Sequence, residues 1–233
     1  MSRLIRLTPS AALKEKRLGM LLGERGVGEG SLAAEVQDAQ LLGSLEIADL
    51  SFSWDEVKAS RQTGVGPEEV TRLRRAQALS EESFALSVEG LLAWYGEATG
   101  HPPAFRTWPR DRVGGPPAAP VEFIRSRVES LVHWLSVDSS RELSAAQRGA
   151  LALGRLVEIL PFDDANGRVS RLAASHIMVR AGARPPILVG GDRPRLEQCL
   201  NAAFQLSLEP LTSLMEEASE RALDVALQTL ERG

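Results

Sequence analysis

Residues 160–176 read LPFDDANGRVSRLAASH. Asp163 and Asp164 stand side by side, Asn166-Gly167 follows after one alanine, and Arg168 and Arg171 come next, three residues apart. A single carboxylate can hold Mg²⁺ when phosphate oxygens complete the shell, which fits Asp164. An Asn-Gly pair opening a helix presents unpaired N–H groups and the positive end of the helix dipole, and both attract an anion. Two arginines at i, i+3 share one helix face and can grip a phosphate with charge-assisted hydrogen bonds. Ala165, Asn166, Gly167, Arg168 and Arg171 therefore form a candidate phosphate or nucleotide cradle. A proton acceptor is harder to find. Leu160 heads the stretch, and His176 lies ~15 Å further along the expected helix. Asp163 is the only local substitute, and a carboxylate with a reference pKa of ~3.9 is a weak base toward a hydroxyl. The same pattern also fits a capped turn with two surface ion pairs.

Helices must position this loop. RGALALGRLVEI before it and RVSRLAASHIMVR after it are helical in pattern, and Pro161 ends the first. Val121, Ile124, Val128, Leu131 and Leu135 recur at spacings of three and four, as do Ala146, Ala150, Leu153, Leu156 and Leu160. Leu172, Ile177 and Val179 continue the second helix, and Leu214, Ala218, Ala222 and Leu227 mark a last one. The expectation is an all-α bundle of about eight helices. The exception is AFRTWPRDRV, residues 104–113, whose alternation predicts a small edge hairpin over the loop. Gly- and Pro-rich stretches at 61–68 and 99–120 are loops. GERGVGEG, residues 23–30, is a flexible connector, so the first helix should dock loosely. This divides the chain into an N-terminal helical region, 1–60, and a core domain, 61–233.

The 233 residues suit one domain with a sizeable core. A net charge of −4 does not favour a nucleic-acid partner. The single cysteine, Cys199, permits no internal disulfide and reads as a core residue. No long apolar run suggests a leader or a membrane span, so a cytoplasmic protein is expected. His101, His133 and His176 have no zinc-site spacing and read as surface or satisfied core residues. Trp54, Trp94, Trp108 and Trp134 read as core or flap residues.

LPFDDANGRVSR resembles the signature loop of the Fic/Doc (Fido) family, HxFx(D/E)GNGRxxR. AFRTWPRDRVGGPP resembles that family's flap, VEFIRSRVESLVHWL the helix after it, GDRPRLEQCLNAAFQLSLEPLTSLMEEA its helical tail, and SLEIADLSFSWDEV its inhibitory helix and the following segment. The likeness runs through residues 35–227. It implies a Fic-fold helical bundle with a β-hairpin flap, and transfer of AMP from ATP to a protein hydroxyl with Mg²⁺. On this reading Phe162 is a core anchor, Asp164 the metal-binding acid, Asn166 and Gly167 the anion turn, and Arg168 and Arg171 the phosphate-handling arginines.

The departures matter equally. The family's histidine base is Leu160 here, and its first loop glycine is Ala165. Loss of a positioned base typically costs ~10²–10⁴ in rate. If residue 165 needs a positive φ, alanine costs about 1 kcal/mol. The inhibitory motif (S/T)xxxE(G/N) falls on Ser44, Ala48 and Asp49, so the glutamate that pairs with the second arginine is missing. Glu46 and Asp49 are the nearest acids, neither at the matching step of the helix. No aromatic stands in RPRLEQCLNAA to stack on a purine, and Tyr95 is distant in sequence. The resemblance therefore implies a regulatory or protein-binding pseudoenzyme with Mg²⁺ and ATP or another nucleotide as ligands. The alternative is an active transferase whose acceptor needs no base. The flap residues Phe105, Arg106, Thr107 and Trp108 are candidates for contact with a protein partner, and a homodimer is left open.

Overall fold

The computed structural model describes residues 8–83, 85–110, 115–137 and 142–232. Ten α-helices make up the described chain: α1 Pro9–Arg25, α2 Ala33–Ile47, α3 Trp54–Thr63, α4 Glu68–Glu82, α5 Val88–Thr99, α6 Ile124–Ser136, α7 Ala145–Ile159, α8 Asn166–Arg180, α9 Arg193–Phe204 and α10 Glu209–Arg232. That is two more than the periodicity suggested. The excess comes from short, weakly amphipathic helices such as α3 and α9, whose solvent faces blur the repeat.

α7 and α8 form the hairpin that carries the loop. Ser144 caps α7, with its hydroxyl accepting from the Gln147 N–H while Gln147 returns a bond to the Ser144 N–H. Gly149, near the start of α7, lies where a Cβ would meet the Met178 side chain at 2.6 Å, near the end of α8. The two helices therefore run antiparallel, and a small residue lets them approach. The main core gathers α2, α4, α5, α6, α7 and α8 around Trp94, Leu91, Leu156, Phe162 and Val169. A second core places Leu153, Ala174 and Met178 against Leu196, Leu211 and Met215 of α9 and α10. Val179 turns outward, one residue off the buried face of α8.

The first helix is fastened rather than loose. Ala11 and Leu18 bury against Leu223, Ala226 and Leu227 of α10. Lys14 pairs with Glu220 and Asp224, and Glu15 receives two hydrogen bonds from Arg184. The glycines of residues 23–30 close the turn after α1 instead of freeing it: Gly26 takes φ 63° and a one-turn 3₁₀ helix follows at Glu29–Leu32.

No strand occurs among the described residues, so residues 104–110 of the expected flap hairpin carry no regular secondary structure. Residues 111–113 of that expected hairpin lie outside the described residues. Prolines remove ladder donors here, the Ala104 N–H bonds locally to Pro102 O, and the Arg106 N–H bonds to Pro161 O of the α7–α8 loop.

Candidate functional site

α7 ends at Leu160, whose φ of 49° and ψ of 64° turn the chain out of the helix. The loop then dives inward. Phe162 is 1 % exposed and stacks on Tyr95 with ring centroids 4.4 Å apart. Asn166 closes the loop with its amide: Oδ1 accepts from the Phe162 N–H at 2.9 Å, and Nδ2 donates to the Phe162 carbonyl at 2.7 Å. Its side chain is thus a staple, leaving the backbone as its contribution to a ligand.

Ala165 precedes α8 with φ 53° and ψ 14°, the left-handed region where alanine pays for its Cβ. The loop does require a positive φ at this step. No side chain caps α8, and the carbonyl of Ala165 is taken by the Val169 N–H. The N–H groups of Asn166, Gly167 and Arg168 open the helix without an intrahelical partner, as the first residues of a helix must. Gly167 lies under Arg171, where a Cβ would stand 3.0 Å from Nη1.

The two arginines are close but differently employed. Arg168 reaches back to Asp164, Nη2 to Oδ2 3.3 Å, from a buried side chain to a carboxylate that is 68 % exposed. Arg171 points to α2: Nε donates to the Ser44 hydroxyl at 3.0 Å and Nη2 to the Ser44 carbonyl at 2.7 Å. That carbonyl lies in the last turn of α2, whose carbonyls lack helical partners, so Arg171 caps the helix at its negative end. Burial, and then the charge of Arg168, push the Arg171 guanidinium down to about 9. It remains a cation at neutral pH, with a hydroxyl and a carbonyl in place of a carboxylate partner.

Ser44, Ala48 and Asp49 occupy the end of α2. Ser44 touches Arg171 directly, whereas Ala48 only ends the helix. Asp49 adopts φ 59° and pairs with Arg193, and Glu46 accepts from the Gly190 N–H at 2.9 Å. Neither acid engages Arg171. Of the α2 side chains, only a serine hydroxyl reaches it.

The flap segment supplies a contact that sequence reading assigned wrongly. Arg106, expected among the partner-contacting residues, is 1 % exposed. Its Nε donates to the Leu160 carbonyl at 2.6 Å, Nη1 to Trp108 O at 2.7 Å and Nη2 to Ala119 O at 2.5 Å, while its own N–H bonds to the Pro161 carbonyl at 2.9 Å. A guanidinium fork satisfies three carbonyls that converge from separate segments. Phe105 is half-buried against Phe162 and under Arg125; Thr107 and Trp108 are exposed. Arg110 adds a hydrogen bond to the Asp163 carbonyl, leaving the Asp163 carboxylate in solvent.

Tyr95, distant in sequence, lies directly beneath the loop. Burial, followed by the charge of Asp163, pushes its phenol up, with a smaller push from Asp164. That makes it a poorer proton acceptor than an ordinary tyrosine near neutral pH. His176 is a satisfied core residue, its Nδ1–H donating to Ser80 O at 2.9 Å beside Trp94. His101 and His133 are exposed. Only Trp94 of the four tryptophans is fully buried; Trp54, Trp108 and Trp134 all reach solvent. Cys199 is buried in the second core. Among the described residues no cluster of three acids, histidines or cysteines could hold a metal unaided, and no helix is long and apolar enough to cross a membrane.

Comparison with known proteins places this geometry. The model of the Fic/DOC family matches residues 83–178, which hold the flap, α5 to α7, the loop and most of α8. The protein adenylyltransferase Fic of Drosophila grimshawi is 35 % identical over 95 residues, covering 41 % of this chain and 20 % of its own. The protein adenylyltransferase fic-1 of Caenorhabditis briggsae is 27 % identical over 164 residues, covering 68 % of this chain and 32 % of its own. The chain thus spans between a fifth and a third of the length of these two relatives. In structure, Fic-1 of C. elegans superposes over 95 % of this chain and 74 % of its own with a TM-score of 0.77 at 21 % identity. A Fic domain containing signaling protein from Bacteroides thetaiotaomicron does so over 96 % and 97 % with a TM-score of 0.78 at 15 % identity. IbpAFic2, solved covalently tethered to Cdc42, superposes over 94 % and 73 % with a TM-score of 0.54 at 15 % identity. The fold is that of Fic proteins, and residues 83–178 match the Fic/DOC family.

Proposed function

We propose that this chain is a Fic-fold protein impaired in AMP transfer, which binds a phosphate group or Mg–nucleotide at the α8 N-terminus and acts through a protein partner. One observation carries the proposal: the residue at the base position is Leu160, a side chain with no proton-accepting atom, on a backbone held from both sides. Its carbonyl is bound by Arg106 and its N–H by Leu156 O. The nearby groups do not replace it. Asp163 faces solvent, the Tyr95 phenol is shifted away from use, and His176 is buried on Ser80.

The ligand half of the reading rests on what remains. Three N–H groups without helical partners open α8, Arg168 pairs there with the exposed Asp164 carboxylate, and Arg171 lies in the next turn, bonded to Ser44. That donor set suits Mg²⁺ only together with a phosphate chain, since a lone carboxylate needs phosphate oxygens and water to complete an octahedron. Bound there, Mg²⁺ would neutralise phosphate charge; Asp164 would hold it, while Arg168 and the amides of Asn166 and Gly167 would orient the anion. The adenylyltransferase relatives support a nucleotide as the ligand. A Fic neighbour joined to Cdc42 supports a protein as partner, with Thr107 and Trp108 as the available flap surface. A cytoplasmic location is part of the same proposal.

The test is transfer of label from ATP. The unmodified chain should label neither itself nor lysate proteins. Leu160→His should restore little and Leu160→His with Ala165→Gly more, because glycine relieves the left-handed strain at 165 and removes a methyl from the cradle. Robust labelling by the unmodified chain sinks the reading. A second reading is favoured by the retained Asp164–Arg168 pair: a transferase acting on an acceptor already ionised, such as a carboxylate or phosphate, which needs no base. Turnover of ATP, CTP or GTP with such an acceptor, abolished by Asp164→Ala, would establish it.

A further inference from the structure

We infer that the groove between α6 and α7 is a binding site for a small amphiphilic carboxylate of the arylalkanoic acid class, separate from the α8 N-terminus. The groove has a volume of about 650 Å³, within the range of small-molecule sites. Leu131 and Ile159, both members of the main core, lie buried in it, and the half-buried Leu143 and Leu151 widen its apolar lining. Trp134, 39 % exposed, adds an indole near the end of α6. Leu151, Arg155 and Glu158 stand roughly opposite Gly149, the residue through which α7 packs on Met178 of α8. The groove is therefore on the far side of α7 from α8.

Charge selects the ligand. Of the charged side chains that line the groove, Arg155 pairs with Glu158 across one turn of α7. Arg127 is exposed and has no ion pair among the described residues. One positive charge is thus left over beside an apolar trough. Ser130 stands three residues on and shares a helix face with Arg127, so a guanidinium and a hydroxyl can meet one carboxylate. Trp134 is seven residues from Arg127, on the same face and ~10.5 Å along the axis. A ligand that satisfies both ends carries a single carboxylate and, a few carbons away, a ring to lie on the indole. A phosphate monoester, with close to two charges, would find only one to meet it. A neutral apolar molecule would leave Arg127 unused. A protein would need a face of about 800 Å², whereas this groove runs along about 12 Å of two helices.

Titration of the full chain with 4-phenylbutyrate, followed by calorimetry and by amide shifts, tests this. Taken to about 5 mM, the acid should bind with a Kd below about 1 mM and shift the amide signals of residues 126–134 and 151–159. 4-Phenylbutyramide, its neutral isostere, should bind roughly three- to fivefold more weakly, as expected for the loss of one partly exposed charge contact. Arg127→Gln should weaken the acid by the same factor and leave the amide unchanged, so that the two bind alike. Trp134→Ala should weaken both at least about fivefold by removing the ring's partner. Both substitutions fall at exposed positions, matched thermal melts will check that each variant folds, and the comparison of acid with amide needs no variant. No binding at about 5 mM, equal affinity for acid and amide in the unmodified chain, an acid indifferent to Arg127→Gln, or shifts centred on residues 164–168 instead would each overturn the inference.

Discussion

Arg106→Ala is the sharpest probe of how the loop is held. The side chain makes three hydrogen bonds to carbonyls of Leu160, Trp108 and Ala119 from a position 1 % exposed. Trp108 is at the surface, so water can replace the bond to its carbonyl. The carbonyls of Leu160 and Ala119 are left without their donor, and hydrogen bonds from a charged group contribute about 1.5–3 kcal/mol each. Allowing for relaxation and non-additivity, the loss is about 3 kcal/mol. In a chain of this size that lowers the melting temperature by roughly 6–12 °C, at about 2–4 °C per kcal/mol. Arg106→Lys should recover only a minor part, since one ammonium cannot span three diverging carbonyls. Thermal melts by circular dichroism measure both variants, and amide shifts at residues 160–167 report whether the loop moves. A fall below about 2 °C for the alanine variant would refute the idea that this arginine clamps flap to loop, because the bonds would then carry almost none of the expected energy.

Gly43→Ala should destabilise by about 3 kcal/mol or more, since its Cβ would stand 1.8 Å from Leu188 O and backbone must move to admit it; urea unfolding checks this, and loss of the adjacent Ser44–Arg171 contact should appear as altered Arg171 side-chain signals. Burial holds the His176 imidazole below its usual range, with the Ser80 hydrogen bond opposing and Arg180 assisting. The unfolded chain therefore takes up this proton first, so stability is full above about pH 6.5 and falls as pH drops below it toward the lowered folded value; the fall should be shallower in His176→Gln, measured by melts between pH 7.5 and 5. Millimolar phosphate or ATP should shift the amide signals of residues 164–168, Arg171→Ala should weaken that binding at least about tenfold, and Mg²⁺ should help only while Asp164 is present. Unmoved signals would make the cradle a relic.

What the sequence by itself determined is local. The α7–α8 hairpin was legible because apolar spacing, Pro161 and Asn166-Gly167 act within a few residues of where they stand. That a leucine, Leu160, heads the loop is a statement about one position, and it needed no coordinates. Strain at Ala165 was also within reach, since a turn demanding positive φ penalises any side chain there. The tertiary structure decided whatever depends on partners far along the chain. Nothing local distinguishes Arg106 from the exposed arginines around it; three carbonyls brought together by folding select it for burial. Tyr95 comes under Phe162 because α5 packs beneath the loop, and Arg171 finds Ser44 because α2 ends there. The glycines after α1 read as a loose tether, yet the helix is fixed by acids and leucines of α10 more than 200 residues away. Hydrophobic periodicity names the face that will be buried, and only the packed fold names what lies against it.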